Sequence, residues 1–326
     1  MRPLSYMAVS DLGVAMARAA RMQAEFIAGG TDMLQLLQED VRRPAELIDI
    51  NGLSLGGIEI TEDGAHIGAL ARMTEVADHP RIRERFPAVT ESLLASASAQ
   101  VRNMASIGGN LLQRTRCLYF RDVATPCNKR RPGSGCPAIE GLNRMNAVLG
   151  TSAHCIAVYP GDLAVALLAL DAHVEIIGLH GSRSIPVGEL HRAPGDTPDV
   201  ETTLEPGEII TAVAIPSSGH AARSHYLKVR DRASFEFALA SAAVAIDTVD
   251  GVVTEARVAI GGVATKPWRL PEVEEVLVGY EPTAERVQHA SRQAGRGAKA
   301  YQYNAYKIEL MRRVVERALS ELGVQR

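Results

Sequence analysis

Four cysteines are concentrated in one short part of a 326-residue chain. Cys117, Cys127, Cys136 and Cys155 occur between residues 117 and 155, and no other cysteine is present. Prolines and glycines that disfavour regular helix or strand lie among them: Pro126, Pro132, Gly133, Gly135 and Pro137. A loop of this composition that carries four thiols is typical of a segment that folds around a bound group.

The spacing of the cysteines leaves four interpretations open. An even number of cysteines permits two disulfides. Zinc sites usually contain cysteine pairs separated by two to four residues, and this chain has no such pair. Four separately placed thiolates could ligate an iron–sulfur cluster, and buried, inert thiols are the fourth interpretation.

Two glycine-rich stretches have the composition of phosphate-binding loops. In the first, AGGTDM, a strand predicted to end at Ile27 runs through Gly29 and Gly30 into a helix capped by Thr31 or Asp32. Backbone amides at such a helix start attract anions, and glycine lets a phosphate approach closely. The second stretch, SIGGN, adds amides and the Asn110 side chain, so the pair could hold a pyrophosphate from two sides; ordinary turns would need the same glycines.

The surrounding pattern predicts an α+β protein with two domains. The N-terminal domain, residues 1–180, contains a parallel strand-helix-strand unit, a mixed or antiparallel sheet with helices, and the cysteine insert, residues 115–157. The proline-rich region 181–200 is the predicted boundary. In the C-terminal domain, residues 181–326, the alternating runs EIITAVAIP, SHYLKVR, SAAVAIDTVDG and TEARVAIGGVA predict an antiparallel sheet, and residues 283–322 predict helices.

Composition excludes several classes of function. A net charge of −3 gives no electrostatic basis for nucleic-acid binding. The sequence contains no run of about 18 apolar residues, so we predict no membrane insertion. The N-terminus lacks the apolar region of a signal peptide, so we expect no export signal of its own.

Several motifs together resemble a known family. FIAGGTDMLQLL, NMASIGGNLL and YPGDLAVALLALDA are similar to the FAD-binding medium subunit of the molybdenum hydroxylases, the xanthine dehydrogenase and aldehyde oxidoreductase family. KVRDRASFEFALASAAVAI and AYKIELMRRVVERAL extend the resemblance over nearly the whole chain. The cysteine insert, with CLYFRD, PCNKR, GSGCPA and HCIAVYP, resembles the bacterial periplasmic aldehyde oxidoreductase type, whose FAD subunit holds a [4Fe–4S] cluster.

The resemblance implies a set of cofactor residues. It implies that the first stretch holds the FAD pyrophosphate and that the second lines the flavin. It places Asp162 at the adenosine half, although Asp162 could instead cap a helix, and Lys228 near the isoalloxazine and phosphates, although Lys228 could be a solvated strand lysine. The implied FAD contacts are Ile27, Ala28, Gly29, Gly30, Thr31, Asp32, Met33, Ser106, Gly108, Gly109, Asn110, Asp162 and Lys228, and the implied cluster ligands are Cys117, Cys127, Cys136 and Cys155.

The resemblance also implies an electron-transfer function. The chain would take electrons from the [2Fe–2S] clusters of a small subunit and deliver them to an external acceptor, while a large molybdenum-cofactor subunit oxidises an aldehyde. No residue of this chain is then catalytic. We expect a periplasmic location through co-export with a partner, or a cytoplasmic one. The alternatives are the medium subunit of a xanthine dehydrogenase or hydroxybenzoyl-CoA reductase type, a free-standing flavoenzyme, and a zinc-stabilised interaction module.

Overall fold

The computed structural model describes residues 3–21 and 23–323. The first two residues of the predicted N-terminal domain and the last three of the C-terminal domain lie outside this range. Three sheets with helices between them make up the described chain, so the predicted α+β class is confirmed. None of its helices combines the length and apolarity needed to cross a bilayer.

The first sheet is small and parallel. Its strands are β1 (Ser5–Ala8), β2 (Ala24–Ile27) and β3 (Glu46–Asp49), in the order β1-β3-β2. The connecting helices are α1 (Leu12–Ala19) and α2 (Met33–Gln38), and the Asp11 carboxylate caps α1 by accepting from the Val14 amide at 2.8 Å. The predicted strand-helix-strand unit is therefore confirmed.

The second sheet is antiparallel and contains a strand that the sequence assigned elsewhere. Its strands are β4 (Ile58–Ile60), β5 (Gly64–Gly68), β6 (His173–Gly178), β7 (Gly181–Pro186) and β8 (Ile209–Pro216), in the order β4-β5-β8-β6-β7. The EIITAVAIP run forms β8 between β5 and β6, so its predicted place in the C-terminal sheet was wrong. The sheet thus continues past residue 180, and the domain boundary at that residue stays a prediction.

Eight short helices lie in the described chain between β5 and the end of the second sheet, and several of them pack on that sheet. They are α3 (Met73–Asp78), α4 (Pro80–Arg85), α5 (Pro87–Ala95), α6 (Ala99–Met104), α7 (Ile107–Leu111), α8 (Leu118–Arg121), α9 (Leu163–Ala169) and α10 (Val187–Leu190). Pro80 and Pro87 open α4 and α5, where the missing proline N–H costs no helical hydrogen bond. The apolar α9 is buried on nearly every side, because it also packs on the third sheet.

The third sheet and the last helices form the C-terminal layer. Its antiparallel strands β9 (Ser224–Val229), β10 (Ala240–Val249), β11 (Val252–Gly261) and β12 (Trp268–Arg269) run in the order β12-β11-β10-β9. They are covered by α11 (Pro271–Leu277), α12 (Ala284–Ser291) and α13 (Tyr306–Glu321), with Met311, Val314 and Leu319 of α13 fully buried against the sheet.

Candidate cofactor site

A cavity of about 1340 Å³ lies where the layers meet. Both glycine stretches line it, together with residues from the start of α9 and from β9. The structure therefore brings all the predicted FAD contacts to one place: Ile27, Ala28, Gly29, Gly30, Thr31, Asp32, Met33, Ser106, Gly108, Gly109, Asn110, Asp162 and Lys228.

The first glycine stretch connects β2 to α2 with its amides unpaired. A Cβ on Gly29 would lie 1.9 Å from the Met104 carbonyl oxygen, and Gly30 has a φ of +71°, so both positions require glycine. In the described chain, the amide N–H groups of Gly29, Gly30, Thr31 and Asp32 donate no backbone hydrogen bond. These amides are available to an anion in the cavity, as the sequence predicts.

The second glycine stretch is a short helix rather than a loop. The Ser106 side chain caps α7, and the amides of Ile107 and Gly108 donate to the Ala71 and Ala69 carbonyls at 3.0 and 2.8 Å. Gly109 and Asn110 donate to the side chain and the backbone of Ser106. The expectation that this stretch offers free amides is therefore wrong.

The polar group that α7 presents is the Asn110 side chain. Its Nδ2 lies 3.4 Å from the Met73 sulfur, while its Oδ1 is buried and has no partner in the described chain. A buried polar atom without a partner costs free energy. Because Asn110 also lines the cavity, a ligand is the natural partner for this group.

Asp162 and Lys228 form one buried ion pair. Asp162 occupies the N-cap position of α9, but its carboxylate makes no capping bond and instead accepts from Ser96 Oγ at 2.8 Å, Tyr226 Oη at 2.6 Å and Lys228 Nζ at 2.8 Å. Only 3% of the Lys228 side chain and 6% of the Asp162 side chain are exposed. Burial raises the pKa of Tyr226, which keeps its hydroxyl a donor.

The pair decides between the alternatives that the sequence left open for these two residues. Helix capping by the Asp162 side chain and solvation of Lys228 are both excluded by the contacts above. The part of FAD that each residue contacts stays a prediction.

The Asp32 carboxylate is bound by Arg114 and by two arginines of the cysteine insert. Its Oδ2 accepts from the Arg114 amide at 2.8 Å, and its Oδ1 contacts Arg116 at 2.8 Å and Arg121 at 2.9 Å. Asp32 therefore connects the first glycine stretch to residues beside Cys117 and is not a free carboxylate in the cavity.

A second carboxylate on the cavity wall is also held from the insert side. Glu201 forms ion pairs with Arg114 and, at 2.9 Å, with Lys129. Burial opposes ionisation of Glu201, but these two cations hold its pKa below the usual value. This network was not predicted from the sequence, although Arg114, Arg116, Arg121 and Lys129 alternate there with two of the cysteines.

All four cysteines are free, and N–H groups point at their sulfurs. The Ala157 amide lies 3.4 Å from Cys155 Sγ, and Asn146 Nδ2 lies 3.6 Å from Cys117 Sγ. Burial raises the pKa of Cys155 to about 12, and the nearby thiols of Cys136 and Cys117 add to this effect. Thiols that lie within electrostatic reach of one another and accept N–H bonds have the chemistry of iron–sulfur ligands.

The described residues contain no group of three or more His, Cys, Asp or Glu side chains arranged around one metal-ion position. A structural zinc site needs four such ligands around one ion. The four thiolates of a cubane cluster lie farther apart than the ligands of a single ion. This finding therefore argues against the zinc alternative and does not test a cluster. The free cysteines likewise show neither of the two possible disulfides.

The C-terminal layer holds the far end of the insert. Five consecutive carbonyls, those of residues 144–148, accept hydrogen bonds from Tyr306 Oη, Lys307 Nζ, Asn304 Nδ2 (two) and the Lys299 amide. Lys307 is completely buried, and burial lowers its pKa to about 7. The insert is thus fixed at both ends, near Asp32 and near α13.

Two family profiles together cover almost the whole chain. The FAD binding domain in molybdopterin dehydrogenase matches residues 2–218, and the CO dehydrogenase flavoprotein C-terminal domain matches residues 225–322. The chain belongs to the FAD-binding subunits of the molybdopterin dehydrogenases. The family predicted from the sequence motifs is therefore confirmed.

Relatives of this flavin subunit are subunits of oxidoreductases. It is 44% identical over 328 residues to the aldehyde oxidoreductase FAD-binding subunit PaoB of Escherichia coli, with 100% of both chains covered. It is 26% identical to the nicotine 6-hydroxylase medium subunit of Paenarthrobacter nicotinovorans, over 93% of this chain and 90% of the relative. The flavin subunit is accordingly part of an oxidoreductase.

The fold of the flavin subunit is also found in a solved structure. The carbon monoxide dehydrogenase from Hydrogenophaga pseudoflava matches with a TM-score of 0.76 at 24% identity, with 98% of each chain covered. The similarity extends to all three sheets, since nearly the entire chain aligns.

The cavity of the flavin subunit fits FAD. The unpaired amides of residues 29–32 suit a pyrophosphate, the unpartnered Asn110 Oδ1 suits a ligand donor, and Lys228 supplies a buried positive charge. Each of these groups lines the same cavity, whose volume is about 1340 Å³.

Proposed function

We propose that this chain is the FAD- and [4Fe–4S]-containing electron-transfer subunit of a heterotrimeric, molybdenum-dependent aldehyde oxidoreductase. The observation that carries the proposal is the single cavity in which unpaired glycine amides, Asn110 and the Asp162–Lys228 pair meet beside the cysteine insert. The aldehyde class is supported by the 44% identity to PaoB over the full length of both chains.

In this proposal the amides of Gly29 to Asp32 hold the FAD pyrophosphate at the start of α2. Lys228 places a positive charge in the cavity, and Asp162 fixes its position. The Asn110 side chain hydrogen-bonds a polar group of the cofactor. Bound FAD supplies the electron carrier, and the protein contributes binding, orientation and electrostatics.

We further propose that Cys117, Cys127, Cys136 and Cys155 ligate one [4Fe–4S] cluster. Support comes from their free state, their closeness to one another and the N–H groups of Ala157 and Asn146 directed at two of the sulfurs. Hydrogen bonds to ligating sulfurs orient them and tune the potential of a cluster. The insert that carries them is held by protein contacts near Asp32 and near α13.

The proposed partners are a small subunit with [2Fe–2S] clusters, a large molybdenum-cofactor subunit and an external electron acceptor. Relatives named as medium or FAD-binding subunits support a multi-subunit assembly. A free-standing flavoenzyme would instead oxidise a substrate as an isolated chain.

Anaerobic purification followed by absorbance, metal analysis and acid precipitation tests the cofactor content. We expect a yellow-brown protein with four irons per chain, because one [4Fe–4S] cluster contains four. Acid should release all the flavin into the supernatant, since neither glycine stretch contains a good flavin nucleophile. A colourless protein with stoichiometric zinc would refute the cluster, and flavin retained in the pellet would refute non-covalent binding.

A cysteine variant tests both the cluster and its role. We expect Cys136→Ser to lose iron, whereas Val123→Ala, an exposed side chain in the same insert, should keep it. If the cluster relays electrons, flavin reduction by substrate in the assembled complex should slow by orders of magnitude in Cys136→Ser while FAD remains bound. Normal flavin reduction in a complex without this iron would leave the cluster a structural role.

A further inference from the structure

One arginine of the cysteine insert contacts both ends of the helix that follows the first glycine stretch. Arg121, on α8, donates through Nη2 to Asp32 Oδ1 at 2.9 Å and through Nη1 to Glu39 Oε2 at 2.9 Å. Asp32 is the N-cap residue of α2 and Glu39 is its C-cap residue. The position of α2 along its own axis is therefore defined by a side chain of the insert.

The remaining donors of Arg121 bind the backbone of the insert itself. Its Nε donates to the Thr115 carbonyl at 2.9 Å, and its Nη2 also reaches the Arg114 carbonyl at 3.2 Å. Only 11% of the side chain is exposed. A guanidinium has a planar fork of donors, and here that fork joins two separate parts of the chain in one geometry.

Arg121 acts on the cavity only through other groups. Arg114, Thr115 and Arg116 line the cavity, but Arg121 is not part of its wall. The unpaired amides of residues 29–32 lie at the start of α2, so their direction depends on where Asp32 and α2 are held. Arg121 and Arg116 both connect this start to the segment next to Cys117, and Arg121 also reaches Glu39 at the other end of α2.

We propose that Arg121 is a positioning residue for the cofactor site, which makes the affinity for FAD depend on the order of the cysteine insert. This inference rests on the proposed function, in which the cavity binds FAD. When the insert is ordered, Arg121 holds α2 and the amides in the binding geometry. When the insert loosens, the amides lose that support. Because such coupling is reciprocal at equilibrium, bound FAD should also increase the share of iron that the insert keeps against a chelator.

The dissociation constant of FAD for the full-length chain, measured by flavin fluorescence, tests this inference. We expect removal of iron with a chelator to weaken FAD binding by about tenfold, a typical size for coupling between two sites. Arg121→Met should weaken it to a similar extent even with iron bound, and in that variant FAD should no longer increase the share of iron kept against the chelator at equilibrium. Arg121→Lys, which keeps one charged donor but loses the fork, should recover part of the affinity.

Arg269→Met is the matched control. Arg269 also joins two carboxylates and a backbone carbonyl, those of Asp171, Glu274 and Leu168, and neither it nor these partners line the cavity. This variant should lower the melting temperature without changing the affinity for FAD or the effect of FAD on the share of iron kept against the chelator.

The outcomes separate the inference from the function on which it rests. A folded Arg121→Met chain with wild-type affinity for FAD overturns the positioning role, even if FAD and iron are both present. If Arg121→Met does not fold, an affinity for FAD equal to that of the iron-loaded wild type in both Arg121→Lys and the iron-free wild type overturns it instead. A wild-type chain that binds no FAD overturns the proposed function and this inference together. A wild-type chain that binds FAD but contains no iron overturns only the proposed cluster. In that case the FAD affinities of the Arg121 and Arg269 variants still decide whether Arg121 positions the cofactor site.

Discussion

Replacing Asp162 with asparagine should destabilise the protein because Lys228 would stay buried without its counter-charge. At 2.8 Å, and with an effective dielectric constant of about 20, the attraction between the two charges is about 6 kcal/mol. Burial of both ions offsets much of it, yet removing one partner of a buried pair typically costs about 3–5 kcal/mol. We expect a loss of that size in the free energy of unfolding of the flavin-free chain, measured by urea denaturation.

A double-mutant cycle shows whether the loss comes from the buried charge. Adding Lys228→Met to Asp162→Asn removes the uncompensated cation, so the double variant should be more stable than Asp162→Asn alone. Asp231→Asn is the matched control, because Asp231 pairs with Arg144 at 2.8 Å but both side chains are about half exposed. It should cost about 1 kcal/mol or less. Additive effects of the two substitutions, or an equal cost for Asp231→Asn, would refute this reasoning.

Two further predictions concern the glycine turn and pH. Gly30→Val should lose flavin in a protein that still melts cooperatively, because a branched side chain at φ +71° is strained by about 1–3 kcal/mol and crowds Leu34. Gly251→Val is the control, since Gly251 has a φ of +82° in a distant turn and no neighbour within 4 Å. This variant should be strained yet keep its flavin, as absorbance will show. The Glu91 carboxylate that hydrogen-bonds His225 raises the pKa of His225, and Glu321 adds to the effect. The stabilisation of the fold by charged His225 should be complete below about pH 6.5 and should disappear as pH rises through the pKa of His225 in the folded state. The difference in melting temperature between wild type and His225→Gln should therefore shrink from about pH 6 to about pH 9. A difference that grows with pH would contradict the assignment.

The first glycine stretch could be predicted because its determinants are local. Gly29 and Gly30 follow a short strand and precede α2, and both the turn and the unpaired amides depend on residues within that stretch. The hairpin at Gly64 and the helices opened by Pro80 and Pro87 were predictable for the same reason. Asp32 occupies the N-cap position but makes no capping hydrogen bond, because its carboxylate binds Arg114, Arg116 and Arg121 instead.

The remaining features depend on partners far away in the sequence. The amides of Ile107 and Gly108 are occupied because the carbonyls of Ala71 and Ala69 lie beside them, more than thirty residues earlier in the chain. Alternation identified β8 as a strand but could not identify β5 and β6 as its neighbours. Lys228 and Asp162 likewise meet across two layers, so no local pattern shows that they form an ion pair.

The hydrogen bonds to the carbonyls of residues 144–148 have a consequence for synthesis of the chain. These carbonyls leave the ribosome about 150 residues before the groups of residues 299–307 that bind them, a delay of about 8–30 s at about 5–20 residues per second. Throughout that interval the segment between Cys136 and Cys155 lacks the partners that fix it. Metal insertion into a nascent chain would therefore meet a segment without these hydrogen bonds. The segment can form them only after residues 299–307 have been translated.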